Sequence, residues 1–280
     1  MRWPRRAATL LGFIGLAGAV LAMTSCSRED DIATHRLVLT GSSTVAPLVA
    51  EIGKRFESLH PNVRVDVQTG GSSRGIADAR RGTADIGMAS RALGDTESDL
   101  HEHPIARDGV CIIVHVDNPV GTLSGRQVSG IYANRITNWK QVGGRDADIV
   151  VVNKAEGRAT LEVFLAHFDV DRRSIRPDVV IGDNEQGVKT VAGNVDAIGY
   201  VSVGTAEYGT GHGVPIRLLA VDGVPASTSA LADGSFPVSR PLNLVTLGDP
   251  ADTARTFINY CQSEDVHDLI RAQYFVPLAN

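Results

Sequence analysis

The chain is poor in the residues that mark several large classes of protein. Its 280 residues include 3 cysteines, and aromatic residues make up 5% of the composition. So few cysteines exclude a small fold held together by disulfide bonds. With 27 basic and 32 acidic side chains, the chain lacks the positive excess that binds nucleic acids and anionic membrane surfaces. A composition of 43% hydrophobic and 21% charged residues is that of a globular protein with one large or two moderate cores.

Long uncharged runs are also scarce, and the clearest one lies at the N-terminus. Three arginines precede the uncharged residues 7–25, which is the layout of a secretory signal peptide. This run ends in Met23-Thr24-Ser25-Cys26, which resembles the lipobox of bacterial lipoproteins. We predict a lipoprotein signal peptide over residues 1–25, lipidation of Cys26 and a polar tether over residues 26–35. The alternatives are an ordinary secretory signal with a chance cysteine, or a retained membrane anchor.

Export affects both charge and cysteine chemistry. Removal of residues 1–25 takes away three basic side chains and no acidic ones, so the balance becomes more negative than the −5 of the full chain. Besides Cys26, the predicted lipidation site, the cysteines of the chain are Cys111 and Cys261. Their predicted settings, a buried strand and an apolar helix, favour two buried free thiols. An oxidising compartment also permits a bridge between them, and the sequence leaves this alternative open.

Apolar periodicity alternates between the strand and helix periods along the chain, which predicts α/β layers. Strands are predicted at residues 36–40, 63–69, 86–89, 110–116, 149–153, 179–181, 197–201 and 243–247. Helices are predicted at residues 45–59, 75–81, 125–132, 160–168, 186–192 and 251–261. The stretch 209–237, rich in Gly, Pro and Ser, is predicted to form turns and short strands.

Three short polar runs each follow a predicted strand and open a predicted helix. They are Gly41-Ser42-Ser43-Thr44, Gly70-Gly71-Ser72-Ser73-Arg74-Gly75 and Glu156-Gly157-Arg158-Ala159-Thr160. A helix start presents unpaired N–H groups and a partial positive charge, so three starts rich in hydroxyls and arginine predict an oxyanion pocket. The alternative for any single run is a capped helix without a ligand.

Six stretches, in order along the chain, resemble landmarks of a known family. They are Thr40-Gly41-Ser42-Ser43-Thr44-Val45, Gly70-Gly71-Ser72-Ser73-Arg74-Gly75, Ala84-Asp85-Ile86-Gly87-Met88-Ala89-Ser90-Arg91, Ile136-Thr137-Asn138-Trp139, Ala197-Ile198-Gly199-Tyr200 and Phe275-Val276-Pro277-Leu278. Together they resemble periplasmic phosphate-binding proteins, the extracytoplasmic receptors of high-affinity phosphate ABC transporters.

The resemblance implies an α/β, type II periplasmic-binding-protein fold, in which two lobes, each with a central mixed sheet flanked by helices, enclose a ligand cleft. Residues 36–116 plus 203–280 are expected to form the first lobe and residues 117–202 the second, with hinge crossings near His115 and Val201. It also implies a lipid-anchored monomer without catalytic activity, cofactor or metal. Such a receptor captures inorganic phosphate or a related oxyanion and delivers it to the permease subunits of an ABC transporter.

The resemblance further implies a set of ligand-binding residues drawn from both lobes. These are Ser43, Thr44, the N–H of Val45, Ser72, Ser73, Arg91, Lys154, Arg158, Ala159 and Thr160. Arg91 stands where some members use an aspartate to accept the proton of hydrogen phosphate. The second-lobe motif of the family, an arginine followed by Gly-Ser-Gly-Thr, is matched here only at Gly157 and Thr160.

The altered second-lobe loop changes what the pocket can offer. Lysine at 154 keeps the positive charge of the family's arginine but loses the planar fork that grips two oxygens. Arg158 either restores that fork, or it points to solvent or pairs with Glu156 or Glu162. If the site selects phosphate over sulfate, one of its side chains must accept a hydrogen bond from the proton that hydrogen phosphate carries. The carboxylate candidates are Asp85, Glu156, Asp183 and Glu185.

Other functions remain open at this level. Gly71-Ser72-Ser73-Arg74-Gly75 also fits the nucleophile elbow of serine hydrolases. A lipoprotein that senses or scavenges another oxyanion without a transporter, or an adhesion module on the same fold, would use the same features. His101-Glu102-His103 invites a metal interpretation, but we predict a solvated polar loop there, since a third ligand is not evident.

Overall fold

A mixed β-sheet flanked by helices forms the framework of the protein. The computed structural model describes residues 35–278. The strands are β1 (His35–Gly41), β2 (Val63–Thr69), β3 (Ile86–Ala89), β4 (Leu100–His115), β5 (Thr122–Leu123), β6 (Val150–Lys154), β7 (Val179–Ile181), β8 (Ala197–Ser202), β9 (Ile216–Leu218), β10 (Ala220–Val221), β11 (Ser239–Leu247) and β12 (Val276–Pro277). The helices are α1 (Ala46–Leu59), α2 (Ser72–Arg81), α3 (Gly125–Tyr132), α4 (Ala159–Phe168), α5 (Asn184–Ala192), α6 (Val203–Gly211), α7 (Thr228–Ala232), α8 (Asp252–Cys261) and α9 (His267–Ala272).

The strand order confirms the predicted α/β class. Neighbouring strands run in the order β2-β1-β3-β11-β4-β8-β6-β7, with β9 and β12 also paired to β4. Strand β1 pairs in parallel with β2 and β3, and β6 pairs in parallel with β7 and β8. Between these parallel groups, β11 and β4 run antiparallel to their neighbours. Helices connect the parallel strands, so helix starts gather at the ends of these strands.

Strand β4 is longer than the sequence pattern predicts, and it corrects one expectation. It begins at Leu100 rather than near residue 110, so His101-Glu102-His103 lies on a strand and not on a loop. These three residues pair with Thr246, Val245 and Leu244 of β11. Backbone pairing with β11 therefore forms a strand here although the polar sequence does not predict one. Within residues 35–278, no three His, Cys, Asp or Glu side chains cluster in a way that could hold a metal ion.

The region expected to hold turns and short strands also contains helical structure. Strands β9 and β10 fit the expectation, but α6 extends to Gly211 and α7 covers five residues. Each helix is capped by a serine: Ser202 accepts a hydrogen bond from Thr205 N, and Ser227 from Ala230 N. Helix α7 is too short, and α6 too rich in glycine, for an apolar helical period to appear in the sequence.

The buried apolar side chains divide into two large clusters. One joins α1, α8 and α9 to β1 and β3, and the other joins the end of β4 to β6, β8 and the helices around them. Residues between 203 and 238 contribute to the second cluster, from Val203 to Val238. Cys111 lies in the second cluster and Cys261 in the first; both are free, and burial raises the pKa of both thiols.

The proposed lipid anchor and signal peptide, including Cys26, lie outside the described residues. Among residues 35–278, none of the helices combines the length and the apolar character needed to span a membrane.

Contact between glycine backbones brings the start of α2 against the sheet. A Cβ atom on Gly75 would lie 2.5 Å from Thr40 O, 2.8 Å from Gly41 Cα and 2.8 Å from Met88 O. These three atoms all belong to the backbones of β1 and β3, so they cannot move aside as a flexible side chain would. Gly41 itself has a φ of 132°, a conformation that favours glycine.

We expect Gly75→Ala to destabilise the protein by about 1 to 3 kcal/mol, because the added methyl group forces α2 away from the sheet. Helix propensity alone predicts the opposite sign, since alanine is the better helix former. Gly121→Ala is the matched control, because a Cβ atom there meets no heavy atom within 4 Å. Urea unfolding of both variants measures the difference; equal stability of the two would contradict the packing argument.

Candidate functional site

The three polar helix starts singled out in the sequence border one small cavity. Its lining comprises Ser42, Ser43, Thr44, Gly71, Ser72, Ser90, Lys154, Arg158, Ala159, Thr160, Gly182 and Asn184. The starts of α1, α2 and α4 contribute, and the start of α5 adds a fourth. Its volume of about 10 Å³, room for roughly one water molecule, is far below the roughly 300 to 1,000 Å³ of pockets for drug-sized ligands, which excludes a ligand of that size.

Ser42 organises the start of α1. Its Oγ accepts hydrogen bonds from Thr44 N at 3.2 Å and Val45 N at 3.3 Å, and it donates to Ser90 Oγ at 3.0 Å. Ser43 and Thr44 line the cavity, whereas Val45 is fully buried in the core and its N–H is already bonded to Ser42. The structure therefore brings two of the three predicted groups of this loop to the cavity.

The two serines that open α2 have different surroundings. Ser72 is buried and lines the cavity, and its Oγ accepts a hydrogen bond from Ser90 N at 3.1 Å. Ser73 instead reaches the loop before α4: its N–H donates to Gly157 O at 3.3 Å, and its Oγ lies 3.3 Å from Glu162 Oε1. Ser73 thus joins two loops, outside the set of residues that line the cavity.

On the opposite side, the N-cap of α4, Arg158, and the first two residues of the helix, Ala159 and Thr160, line the cavity. Glu156 pairs with Arg172, and Glu162 pairs with Arg91, so neither acid is the partner of Arg158. Of the two alternatives left open by the sequence, a cavity-facing Arg158 is the one that the structure shows.

Lys154, at the end of β6, is 3% exposed. Its Nζ donates a hydrogen bond to Asn184 Oδ1 at 2.9 Å. Burial is the main cause that lowers the pKa of Lys154 to about 7; the positive charges of Arg240 and Arg158 act in the same direction, and the negative charge of Asp183 opposes them.

Arg240 of β11 does not line the cavity but forms hydrogen bonds with hydroxyl groups that do. It is 2% exposed, and its guanidinium lies 2.9 Å from Thr160 Oγ1, 3.4 Å from Thr44 Oγ1 and 3.4 Å from Ser90 Oγ. Asp108 of β4, which is fully buried, balances its charge through an ion pair at 2.7 Å. Asp108 is oriented in turn by the hydroxyl of Ser202, which donates to Oδ1 at 2.9 Å.

Arg91 does not belong to the set that lines the cavity. Its guanidinium donates two hydrogen bonds to Glu97, at 2.7 and 2.8 Å, and also forms an ion pair with Glu162 of α4. The hydrogen bonds with Glu97 raise the pKa of Arg91 and lower that of Glu97. The guanidinium is therefore held in a local ion-pair network.

Sequence reasoning did not find Arg240, Asp108, Asn184, Ser90 or Gly182. The ion pair joins residues 132 positions apart, which only the pairing of β4 with β11 brings together. One signal was available for two of them: Asp108 and Arg240 are charged residues directly before strongly apolar strand segments, where an unpaired charge is costly to bury.

None of the four candidate carboxylates lines the small cavity. Asp85 accepts a hydrogen bond from Val38 N, and Glu156 pairs with Arg172. Asp183 caps α5 by accepting from Gln186 N, and it lines a larger adjoining cavity together with Glu185. Within the described chain, hydroxyl oxygens and the Asn184 amide are the side-chain acceptors in the lining.

The hydrolase alternative gains no support from the geometry. The hydroxyl groups of Ser72 and Ser73 interact with Ser90 N and Glu162, and no hydrogen bond to a histidine is present for either serine among residues 35–278. A nucleophilic serine needs a base within hydrogen-bonding reach.

Comparisons with known proteins agree with this architecture. A sequence profile described as a PBP superfamily domain matches residues 28–265. The phosphate-binding protein PstS of Bacillus subtilis strain 168 is 27% identical over 259 residues, which cover 91% of this chain and 84% of that protein.

Solved structures give the same result. A putative phosphate ABC transporter substrate-binding protein from Clostridium perfringens, solved with bound phosphate, superposes with a TM-score of 0.82 at 31% identity, over 88% of this chain and all of that chain. An ABC-type phosphate transport receptor from Vibrio cholerae gives a TM-score of 0.73 at 30% identity, over 86% of this chain and all of that one. These matches confirm the resemblance predicted from the motifs: the chain belongs to the PBP superfamily and is similar to its phosphate-binding members over nearly its whole length.

Proposed function

We propose that the protein is an exported, lipid-anchored receptor that captures inorganic phosphate, or a related tetrahedral oxyanion, and delivers it to an ABC transporter. The observation that carries this proposal is the convergence of four helix starts, Lys154 and Arg158 on one small cavity. Unpaired N–H groups, hydroxyls and cations at one point form a binding site for an oxyanion. The relatives named as phosphate-binding proteins and phosphate transport receptors support the choice of phosphate.

The proposed ligand contacts are the hydroxyl groups of Ser43, Thr44, Ser72 and Thr160, the N–H groups at the start of α4, and the cations Lys154 and Arg158. Micromolar capture needs about 8 kcal/mol, and a hydrogen bond to a charged group contributes roughly 1.5 to 3 kcal/mol before ordering costs. Several of these donors must therefore act together.

We propose that capture closes two lobes over the anion. Two separate apolar cores and a cavity lined from both sides support this arrangement. Residues 36–116 plus 203–280 and residues 117–202 remain our proposed lobes, although residues 203–238 pack with the core of the second. Contacts between the two proposed lobes, Asn184 Nδ2 to Thr44 Oγ1 at 3.1 Å in the cavity and the Arg91–Glu162 ion pair outside it, would hold the closed form that a transporter recognises.

On this proposal the protein has no catalytic activity, works as a monomer and needs no cofactor. The relatives that support it are substrate-binding proteins by name, and permease subunits would be its partners in the membrane. An anion receptor without a transporter partner is the second candidate. The absence of a carboxylate from the cavity lining, within residues 35–278, favours a broader choice of oxyanion than phosphate alone.

We expect Thr160→Val to weaken phosphate binding by about tenfold to hundredfold, because the variant keeps the shape of the side chain but loses a donor to a charged ligand. Titration calorimetry measures the change. Thr256→Val, on an exposed face of α8, is the matched control and leaves the affinity unaltered. Equal affinity of the two variants would remove Thr160 from the ligand set.

Sulfate should also bind in this cavity. A site with a dedicated partner for a ligand hydroxyl rejects an analogue without it by roughly 10⁴-fold or more. A hydroxyl or amide oxygen accepts a hydrogen bond from hydrogen phosphate but repels the unprotonated sulfate less than a carboxylate would. We therefore expect the preference for phosphate over sulfate at pH 7 to be well below about 10⁴-fold. Competition calorimetry measures the ratio; a preference above that limit would require a carboxylate at the ligand.

A further inference from the structure

The amine of Lys154 is buried with little to balance its charge. Its hydrogen bond to Asn184 Oδ1, at 2.9 Å, is made to a neutral amide. Among the described residues, no carboxylate lies within ion-pair distance of Nζ. A buried ammonium without an anionic partner is costly, so the empty cavity favours the neutral amine.

The groups around Lys154 are mostly positive or already engaged. Arg240 on β11 and Arg158 before α4 both oppose a further positive charge, whereas Asp183 before α5 favours it. Asp108 is committed to Arg240. Tyr200 on β8 faces the backbone: its hydroxyl accepts a hydrogen bond from Lys154 N at 3.2 Å.

We propose that Lys154 couples capture of a doubly charged oxyanion to proton uptake: its amine is largely neutral in the empty site at alkaline pH and becomes an ammonium when the dianion enters. This inference rests on the proposed function, since the entering anion supplies the charge that stabilises the ammonium. The proton comes from solvent and is held on Nζ while the ligand is bound. An arginine at this position would stay charged throughout, so lysine makes the coupling possible.

The direction of the pH dependence follows from the two states. The pKa of Lys154 is about 7 in the empty site and higher beside a bound dianion. At pH 7 the amine is about half protonated, and its contribution is complete only at pH values well below 7. Above pH 7, binding must supply the proton, and affinity for the dianion falls by up to about tenfold for each pH unit. Phosphate loses its dianionic form at acidic pH, so affinity for total phosphate should peak near neutrality.

Carbon-13 NMR of labelled lysine tests this directly, because the chain has only four lysines. Lys54, Lys140 and Lys189 are exposed, so replacing these three by arginine leaves Lys154 as a single signal without altering the cavity. We expect its titration midpoint near pH 7 in the free protein and at least one pH unit higher with saturating inorganic phosphate. A free-protein midpoint near that of an ordinary lysine, or no rise with bound phosphate, would overturn the inference.

Calorimetry separates this inference from the proposed function. With phosphate at pH 8, in two buffers of different ionisation enthalpy, the triple variant should take up about 0.4 proton per anion bound if the pKa of Lys154 rises by one unit, and closer to one proton if it rises further. Lys154→Arg, titrated to saturation, should take up almost none. Heat of binding without any buffer dependence in the triple variant would refute proton coupling but leave phosphate capture standing. No heat of binding and no movement of the lysine signal would refute phosphate capture itself.

Discussion

The ion pair between Asp108 and Arg240 is the interaction on which the small cavity at the helix starts depends. Both side chains are almost completely buried, and each would be strongly destabilising without the other. Their mutual neutralisation lets Arg240 serve as a fixed scaffold that orients the hydroxyls of Thr44 and Thr160, which come from opposite sides of the cavity. The positive charge left for a ligand is then that of Lys154 and Arg158, together with the helix starts.

The loop before α4 and the end of β6 supply these two cations. The positive charge at the cavity is spread over two side chains, the buried Lys154 and the cavity-facing Arg158. Arg158 fits because Gly71 and Gly182 leave room beside it; a Cβ atom on either would lie within 3.3 Å of its side chain. A lysine ammonium grips two oxygens with less geometric strictness than an arginine, so in this pocket a bidentate grip could come only from Arg158.

The sequence predicted what depends on local pattern. Glycine and hydroxyl residues between a strand and a helix mark a helix start wherever they occur, so the loops at Ser43, Ser72 and Thr160 could be named in advance. The predicted role of Arg91 in the ligand set stays a prediction, and its ion pairs with Glu97 and Glu162 show a competing partner. Asp108 and Arg240 depend on the order of strands in the sheet, which no local pattern encodes. The sequence analysis missed α7 and the first half of β4 for a related reason. Tertiary contacts stabilise these elements although their sequences have only a weak intrinsic preference for helix or strand.

Strand β4 pairs first with β11, with one register shift between Leu242 and Asn243, and then with β8 and β9, so it belongs to both halves of the sheet. Successive side chains of a strand point to opposite faces, so insertion or deletion of one residue reverses every position beyond it. In β4 such a change would turn part of an apolar core outward and would also carry Asp108 away from Arg240. The length of this strand should consequently tolerate less variation between homologues than that of any surface loop, even where the residues themselves differ.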